Sequence, residues 1–210
     1  MFDTITRLQE LHKELKPRII VRLKEFKENN TIEKVQKELF FCLLTPQCKA
    51  RVCWSNVENL YSNRILLDGS VEDIAQNLSG IRFRNNKSRY IVEARKVFKD
   101  NKFFNLLFEE KDSLLLREYI VKNIKGIGYK EASHFLRNIG KGEELAILDR
   151  HILRGLNMVG TIKEIPKSLS YKKYISIENK FKKFAFKEVQ IPVDHLDFVF
   201  WYFFNGEIFK

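Results

Sequence analysis

Cysteine is scarce in this 210-residue chain, with only Cys42, Cys48 and Cys53. An odd count without a CxxC pair excludes a disulfide framework and argues against a zinc site. Pro46 breaks any helix that would join Cys42 to the other two. Cys48 and Cys53, five apart, would diverge by about 140° on one helix. All three are read as packing thiols in a reducing compartment. Long apolar runs are missing too. The most apolar stretch, Phe198 to Phe204, is far too short to span a bilayer. The opening MFDTITRLQELHKEL is charged and amphipathic where a signal peptide would be apolar. The expected location is the cytoplasm, without a membrane partner. Acidic residues are in deficit: 27 Asp and Glu face 38 Lys and Arg, a formal charge of +11. Such an excess draws polyanions, nucleic acid among them. Repeats and low-complexity tracts are absent.

What remains is helix after helix, with 44 % apolar residues to build a core. Residues 17–28 show helical apolar spacing, and Pro17 is tolerated in a first turn. Asn30 or Thr31 can cap a run that stops before Pro46. Further helices are predicted at 49–61, 71–78, 87–99, 113–123, 129–138, 149–158, 170–187 and 194–204. Ser70, Asp112 or Ser113, and Asp149 stand at N-cap positions. Ile65–Leu67 and Val159–Ile162 could pair as strands only briefly. The fold class is therefore all-α, in two lobes: 1–69 with 190–210, and 70–189, the N- and C-terminal helices packing together.

The stretch 113–140 holds two helical runs around Lys125-Gly126-Ile127-Gly128. Two glycines at i and i+2 permit a tight reversal with positive φ and leave amides uncovered. Because the second helix starts at once, amides and the positive helix end converge on a spot suited to a phosphate oxygen. Ile124 and Ile127 can bury against Ala132 and Leu136 to set the angle between the helices. Downstream, the flexible Gly140-Lys-Gly142 loop leads through an apolar run to Asp149-Arg-His151 and another helix. Alone, Asp149 reads as an N-cap and Lys130 as a solvated charge.

Together these residues resemble the helix-hairpin-helix DNA glycosylases. Lys130, in Gly126-Ile-Gly128-Tyr-Lys130, stands where bifunctional members carry a catalytic lysine, and Asp149 follows it by 19 residues, as in the 8-oxoguanine branch. Leu44-Thr-Pro-Gln47-Cys-Lys49 looks like a loop carrying a base-stack wedge. Gly80-Ile-Arg-Phe83 with Lys87 and Tyr90, and the ending Asp197-Phe-Val-Phe-Trp201-Tyr…Gly206-Glu-Ile-Phe-Lys210, are similar to the compact archaeal-type 8-oxoguanine DNA glycosylase/lyases. Cys48 departs from the pattern, which calls for a small polar residue there.

The resemblance implies a two-lobed helical glycosylase fold with a cleft between the lobes and the helix-hairpin-helix at 113–138. It implies a monomeric base-excision enzyme acting on duplex DNA containing 8-oxoguanine. The lesion is flipped out, Lys130 attacks C1′, and β-elimination nicks the strand. Asp149 stabilises the cationic sugar. Gln47 fills the vacated space. Phe83 and Trp201 sandwich the base, and Lys210 folds back near Trp201 to read it. The amides at Gly126 and Gly128, the basic Lys49 and Lys87 with Arg82 and Arg84, and His151 are assigned to phosphates, His151 alternatively to orienting its helix. Carbonyls of Lys122, Ile124 and Ile127 are assigned a monovalent cation. No catalytic metal is implied, and the four cysteines of an iron-sulfur cluster are lacking. Two alternatives stay open. A related bifunctional glycosylase for oxidised pyrimidines would be favoured by iron-sulfur cysteines. A non-enzymatic hairpin module would bind DNA through its backbone alone.

Overall fold

The structure, a computed structural model, describes residues 2–99 and 101–210, without the side chains of Phe2 and Asp3. Among the described residues twelve α-helices follow in order: α1 (Phe2–Lys27), α2 (Ile32–Leu44), α3 (Ala50–Ser62), α4 (Ile65–Asp68), α5 (Val71–Asn77), α6 (Arg84–Ala94), α7 (Lys102–Glu109), α8 (Ser113–Asn123), α9 (Tyr129–Asn138), α10 (Arg150–Met158), α11 (Tyr171–Phe184) and α12 (Val193–Asn205). A tight turn of helix at Arg95–Phe98 extends α6, and a wide one at Ala185–Val189 extends α11. Among the described residues there is no strand, so the chain is all-α. No helix among them is long and apolar enough to cross a membrane.

Local chemistry explains most boundaries. Thr31 caps α2 through Lys34 N, Ser70 forms a reciprocal capping box with Asp73, and Asp112 accepts the amides of Leu114 and Leu115. Gly206 ends α12 in the left-handed conformation at φ +71°. Three expectations are corrected and one helix was not foreseen. A single α1 runs through Pro17, which lies on the exposed face, where water can take the carbonyl that proline leaves unpaired. Ile65–Leu67 lies in one turn of helix, whose carbonyls Arg95 caps at 2.7–2.9 Å. Val159–Ile162 is a turn closed by Ile162 N on the Leu156 carbonyl. Helix α7, unforeseen, buries Phe103, Phe104 and Leu107 within only eight residues, too short a window to show a helical period.

Two buried clusters form the core. One runs from Val35 to Leu145 and covers α2 to α9. The other joins Leu8, Leu15, Ile19 and Phe26 of α1 to residues from Ala146 to Phe200. Phe26 and Phe198 stack with centroids 6.3 Å apart, fixing α1 on α12. This partition differs from the expected lobes: α2 and α3 belong with the hairpin, and α10 and α11 belong with α1 and α12. Periodicity shows which face of a helix is apolar but not which partner covers it. Buried ion pairs tie the clusters together along one face of α9, at Ser133 and Arg137. Arg117 makes a two-pronged bond to Glu178 at 2.7 and 2.9 Å, and Glu178 also accepts Ala146 N at 2.9 Å. Arg137 of α9 pairs with Asp197 of α12. Removing one partner of such a pair costs about 3–5 kcal/mol, because the other charge is left buried alone.

Candidate active site

The α8–α9 reversal positions the proposed nucleophile. Ile124, Ile127, Ala132 and Leu136 are all buried in the first cluster, which sets the angle between the helices. Gly126 has φ +90°, and a Cβ there would lie 2.4 Å from Tyr90 Cδ2. Gly128 is extended (φ −98°, ψ −176°), so one glycine of the pair, not both, needs the left-handed region. As the N-cap of α9, Gly128 brings no side chain to cover the helix amides. Lys130 is the second residue of α9. Its side chain is 22 % exposed, and Glu131 Oε1 lies 3.7 Å from its ammonium. One turn on, His134 is buried edge-on to Phe41. Burial, followed by the charges of Lys130, Arg137 and Lys210, drives its pKa well below the usual imidazole range.

Asp149 comes from the second cluster and is held by three donors. Oδ1 accepts the amides of His151 and Ile152, both at 2.8 Å, and Oδ2 accepts the Trp201 indole N–H at 2.8 Å. It is the N-cap of α10 and at once the anchor of α12. His151 stands between Trp201 and Phe204, with ring centroids at 5.2 and 5.9 Å, and burial lowers its pKa. Asp197, one turn before Trp201, lies within electrostatic reach of Asp149 and Lys130. Burial pushes its carboxyl up to about 7 against the pull of Arg137. This shared neighbour and the Arg137–Asp197 pair bring the lysine of one cluster towards the aspartate of the other.

A second group forms around the 44–49 loop. Gln47 is exposed and left-handed at φ +56°, and Phe83, 54 % exposed, is left-handed at φ +58°. Cys48 links their loops: its Sγ accepts Arg82 N at 3.1 Å and the Lys87 ammonium at 3.3 Å. Lys87 also donates to the carbonyls of Leu44 at 2.7 Å and Pro46 at 2.8 Å. Lys87, expected on phosphate, is therefore corrected: it is 4 % exposed and clamps the loop from inside. Phe83 stands under the Arg82 guanidinium beside this loop, while Trp201 is engaged with Asp149 and His151. The expected pairing of the two rings around a base does not follow from these contacts. Lys49, Arg82 and Arg84 are exposed.

Lys210 folds back, but onto different partners from the expected Trp201. Its ammonium pairs with buried Glu38 and sits 3.4 Å from the Trp54 ring centroid and 5.5 Å from that of Phe41. Burial works against both charges of the pair, and each partner offsets part of that. Glu38, Trp54 and His134 were not foreseen. The available sign was a carboxylate opening the apolar ELFFCLL run and a histidine one turn from Lys130. At the end of α8, Ile124 O accepts Ile127 N at 3.3 Å, which leaves this carbonyl a free lone pair at the negative helix end. Donors of this type fit a monovalent cation. Cys42 and Cys53 are buried packing thiols.

Comparison with known proteins matches this geometry to one family. The family model for 8-oxoguanine DNA glycosylase matches residues 19–191. The 8-oxoguanine DNA glycosylase/AP lyase of Fusobacterium nucleatum is 46 % identical over 97 % of this chain and 96 % of its own length. The crystal structure of the 8-oxoguanine DNA glycosylase of Thermotoga maritima superposes with TM-score 0.89 at 35 % identity, covering 100 % of both chains. That of the Methanocaldococcus jannaschii glycosylase/lyase with a 15mer DNA containing 8-oxoguanine superposes with TM-score 0.86 at 38 % identity, over 97 % of this chain and 100 % of the other. With the hairpin, the capped aspartate and these likenesses in hand, the chain belongs to the 8-oxoguanine DNA glycosylase family.

Proposed function

We propose that this chain excises 8-oxoguanine from duplex DNA and nicks the resulting abasic strand, with Lys130 as nucleophile and Asp149 as its partner carboxylate. The observation that carries this is the three-donor hold on Asp149, with buried Asp197 within electrostatic reach of both Asp149 and Lys130 in the first turn of the hairpin helix. The lesion cannot be reached in the stack, so it is flipped out at a cost of a few kcal/mol. Gln47, exposed on a loop that Lys87 clamps from inside, fills the gap, and Phe83 on the joined loop wedges beside it. The duplex lies along the seam between the two helical clusters. Hairpin amides hold a phosphate, assisted by Lys49, Arg82 and Arg84 and by a monovalent cation on the carbonyls of Lys122, Ile124 and Ile127. No step runs through that cation.

The free amine of Lys130 attacks C1′ as the C1′–N9 bond breaks. The base leaves with its electron pair, and the sugar opens to a Schiff base on Lys130. Loss of a C2′ proton then expels the 3′ phosphate by β-elimination. Asp149 has both oxygens tethered before the reaction, so its charge faces the developing sugar cation without reorganising. Trp201 orients that carboxylate. Lys210 and Glu38, over Trp54, read the purine edge. The enzyme works as a monomer in the cytoplasm, on the nucleoid.

Borohydride trapping on an 8-oxoguanine duplex tests the assignment. The wild type should form a covalent adduct, and Lys130→Gln should lose both adduct and strand cleavage while binding DNA nearly as well, because many phosphate contacts share the affinity. Cleavage by Lys130→Gln near the wild-type rate would remove the assignment.

A further inference from the structure

Residues 207–210 adopt no regular structure, and among the described residues no backbone–backbone hydrogen bond holds them after Gly206 N bonds the Tyr202 carbonyl. The Lys210 backbone lies within reach of the buried His134 ring, and otherwise side chains fix the path, and they alternate. Ile208 packs on the second cluster and Lys210 reaches the pocket of Glu38 and Trp54 in the first. Glu207 and Phe209 turn to the other side, where both meet the same residue, Arg51 in the first turn of α3. Its Nε and Nη2 lie 2.7 and 2.5 Å from Glu207 Oε2, and its guanidinium lies 4.7 Å from the Phe209 ring centroid. One planar group thus grips the residues on either side of Ile208, next to the one that enters the pocket.

We infer that Arg51 is a positioning residue: by holding Glu207 and Phe209 together it keeps Lys210 over Trp54 and so sets how well 8-oxoguanine is separated from guanine. This rests on the proposed part of Lys210 in reading the base. The side chain of Arg51 is 66 % exposed and that of Glu207 is 31 % exposed. A pair so open to water adds little to global stability. Its leverage is local, because a segment without backbone–backbone hydrogen bonds opens at lower cost than the rest. A recognition group displaced by about 1 Å can cost as much as 10²-fold in rate. Lysine at position 51 would keep the charge but lose both the two-pronged grip and the flat face on Phe209.

Single-turnover rates at saturating enzyme on duplexes carrying 8-oxoguanine, guanine or a preformed abasic site test this. Arg51→Ala and Glu207→Ala should each lower 8-oxoguanine excision relative to abasic-site cleavage by about tenfold or more. Arg51→Lys should fall between, and the exchanged pair Arg51→Glu/Glu207→Arg should recover part of the loss. The decisive comparison uses Lys210→Gln. If Arg51 acts through Lys210, adding Arg51→Ala to Lys210→Gln has no further effect. Three results overturn the inference: Arg51→Ala behaving as wild type, Arg51→Ala slowing all substrates equally as a phosphate contact would, or its full effect persisting in the Lys210→Gln background. If Lys210→Gln itself leaves excision and selectivity unchanged, the base-reading part of Lys210 is what fails, and the positioning of Arg51 falls with it.

Discussion

Asp149→Asn separates the two tasks of this carboxylate. Aspartate spends one oxygen on two helix amides and the other on the Trp201 indole, all at 2.8 Å. Asparagine has one oxygen. If it stays on the amides, its NH2 faces the indole N–H, and a partly buried donor left unsatisfied costs about 1–3 kcal/mol. If it flips, the helix loses its cap, at about 0.5–2 kcal/mol. Either way stability should fall by about 1–2 kcal/mol, which for a chain of this size lowers Tm by about 2–4 °C per kcal/mol. Trp201→Phe removes the competing donor. Urea unfolding of the wild type, both single variants and the double variant should therefore give a coupling of about 1–2 kcal/mol. Separately, loss of a preorganised charge should slow single-turnover excision by about 10²–10³. Additive stabilities within about 0.5 kcal/mol would refute the indole–carboxylate argument. A large fall in Tm with normal excision would reduce Asp149 to a cap.

The hairpin glycines should behave unequally. Gly126→Ala meets both positive φ and the Tyr90 ring at 2.4 Å, whereas Gly128→Ala is extended and meets only Glu131 Oε2 at 3.3 Å. Gly126→Ala should cost upwards of about 1–2 kcal/mol from backbone conformation alone and weaken DNA binding, with little thermal penalty for Gly128→Ala; equal Tm values would contradict this. Lys87→Met should strip buried donors from two carbonyls, each worth about 1–3 kcal/mol; an unchanged Tm with only a shallower salt dependence of DNA binding would return Lys87 to the phosphate contacts. His12 Nε2 and His195 Nδ1 share one hydrogen bond at 3.0 Å, and burial lowers both pKa values, with Lys16 adding to the effect and Asp194 opposing it at His195. The unfolded chain therefore binds protons that the folded pair resists, so the stability it contributes is present above about pH 6.5 and is lost as pH falls below it. Asp197, raised to about 7, contributes with the opposite sign, and a difference curve removes it. His195→Gln should flatten the acid side of the wild-type curve; an unaltered slope from pH 7 to 5 would exclude the pair.

The sequence by itself determined what is local. Helix faces, the caps at Thr31, Ser70, Asp112 and Asp149, the Gly206 stop and the α8–α9 reversal each depend on residues within a turn or two of one another. Side chains three or four apart and polar groups beside helix ends act wherever the helix finally packs. Lys130 and Asp149 were legible only through resemblance: alone they read as a solvated charge and an N-cap, and their shared spacing with the helix-hairpin-helix glycosylases singled them out. The tertiary structure alone decided which apolar face meets which. It put α2 and α3 with the hairpin, buried Lys87 under the 44–48 backbone, joined the Phe83 loop to the Gln47 loop through Cys48, gave the Trp201 indole to Asp149 and laid Lys210 on Trp54. The hydrogen bonds behind these placements join residues from 34 positions apart, Arg82 to Cys48, to 172, Lys210 to Glu38. A lysine that clamps buried carbonyls and one that greets a phosphate look the same along the chain; only the density of acceptors around the folded ammonium tells them apart.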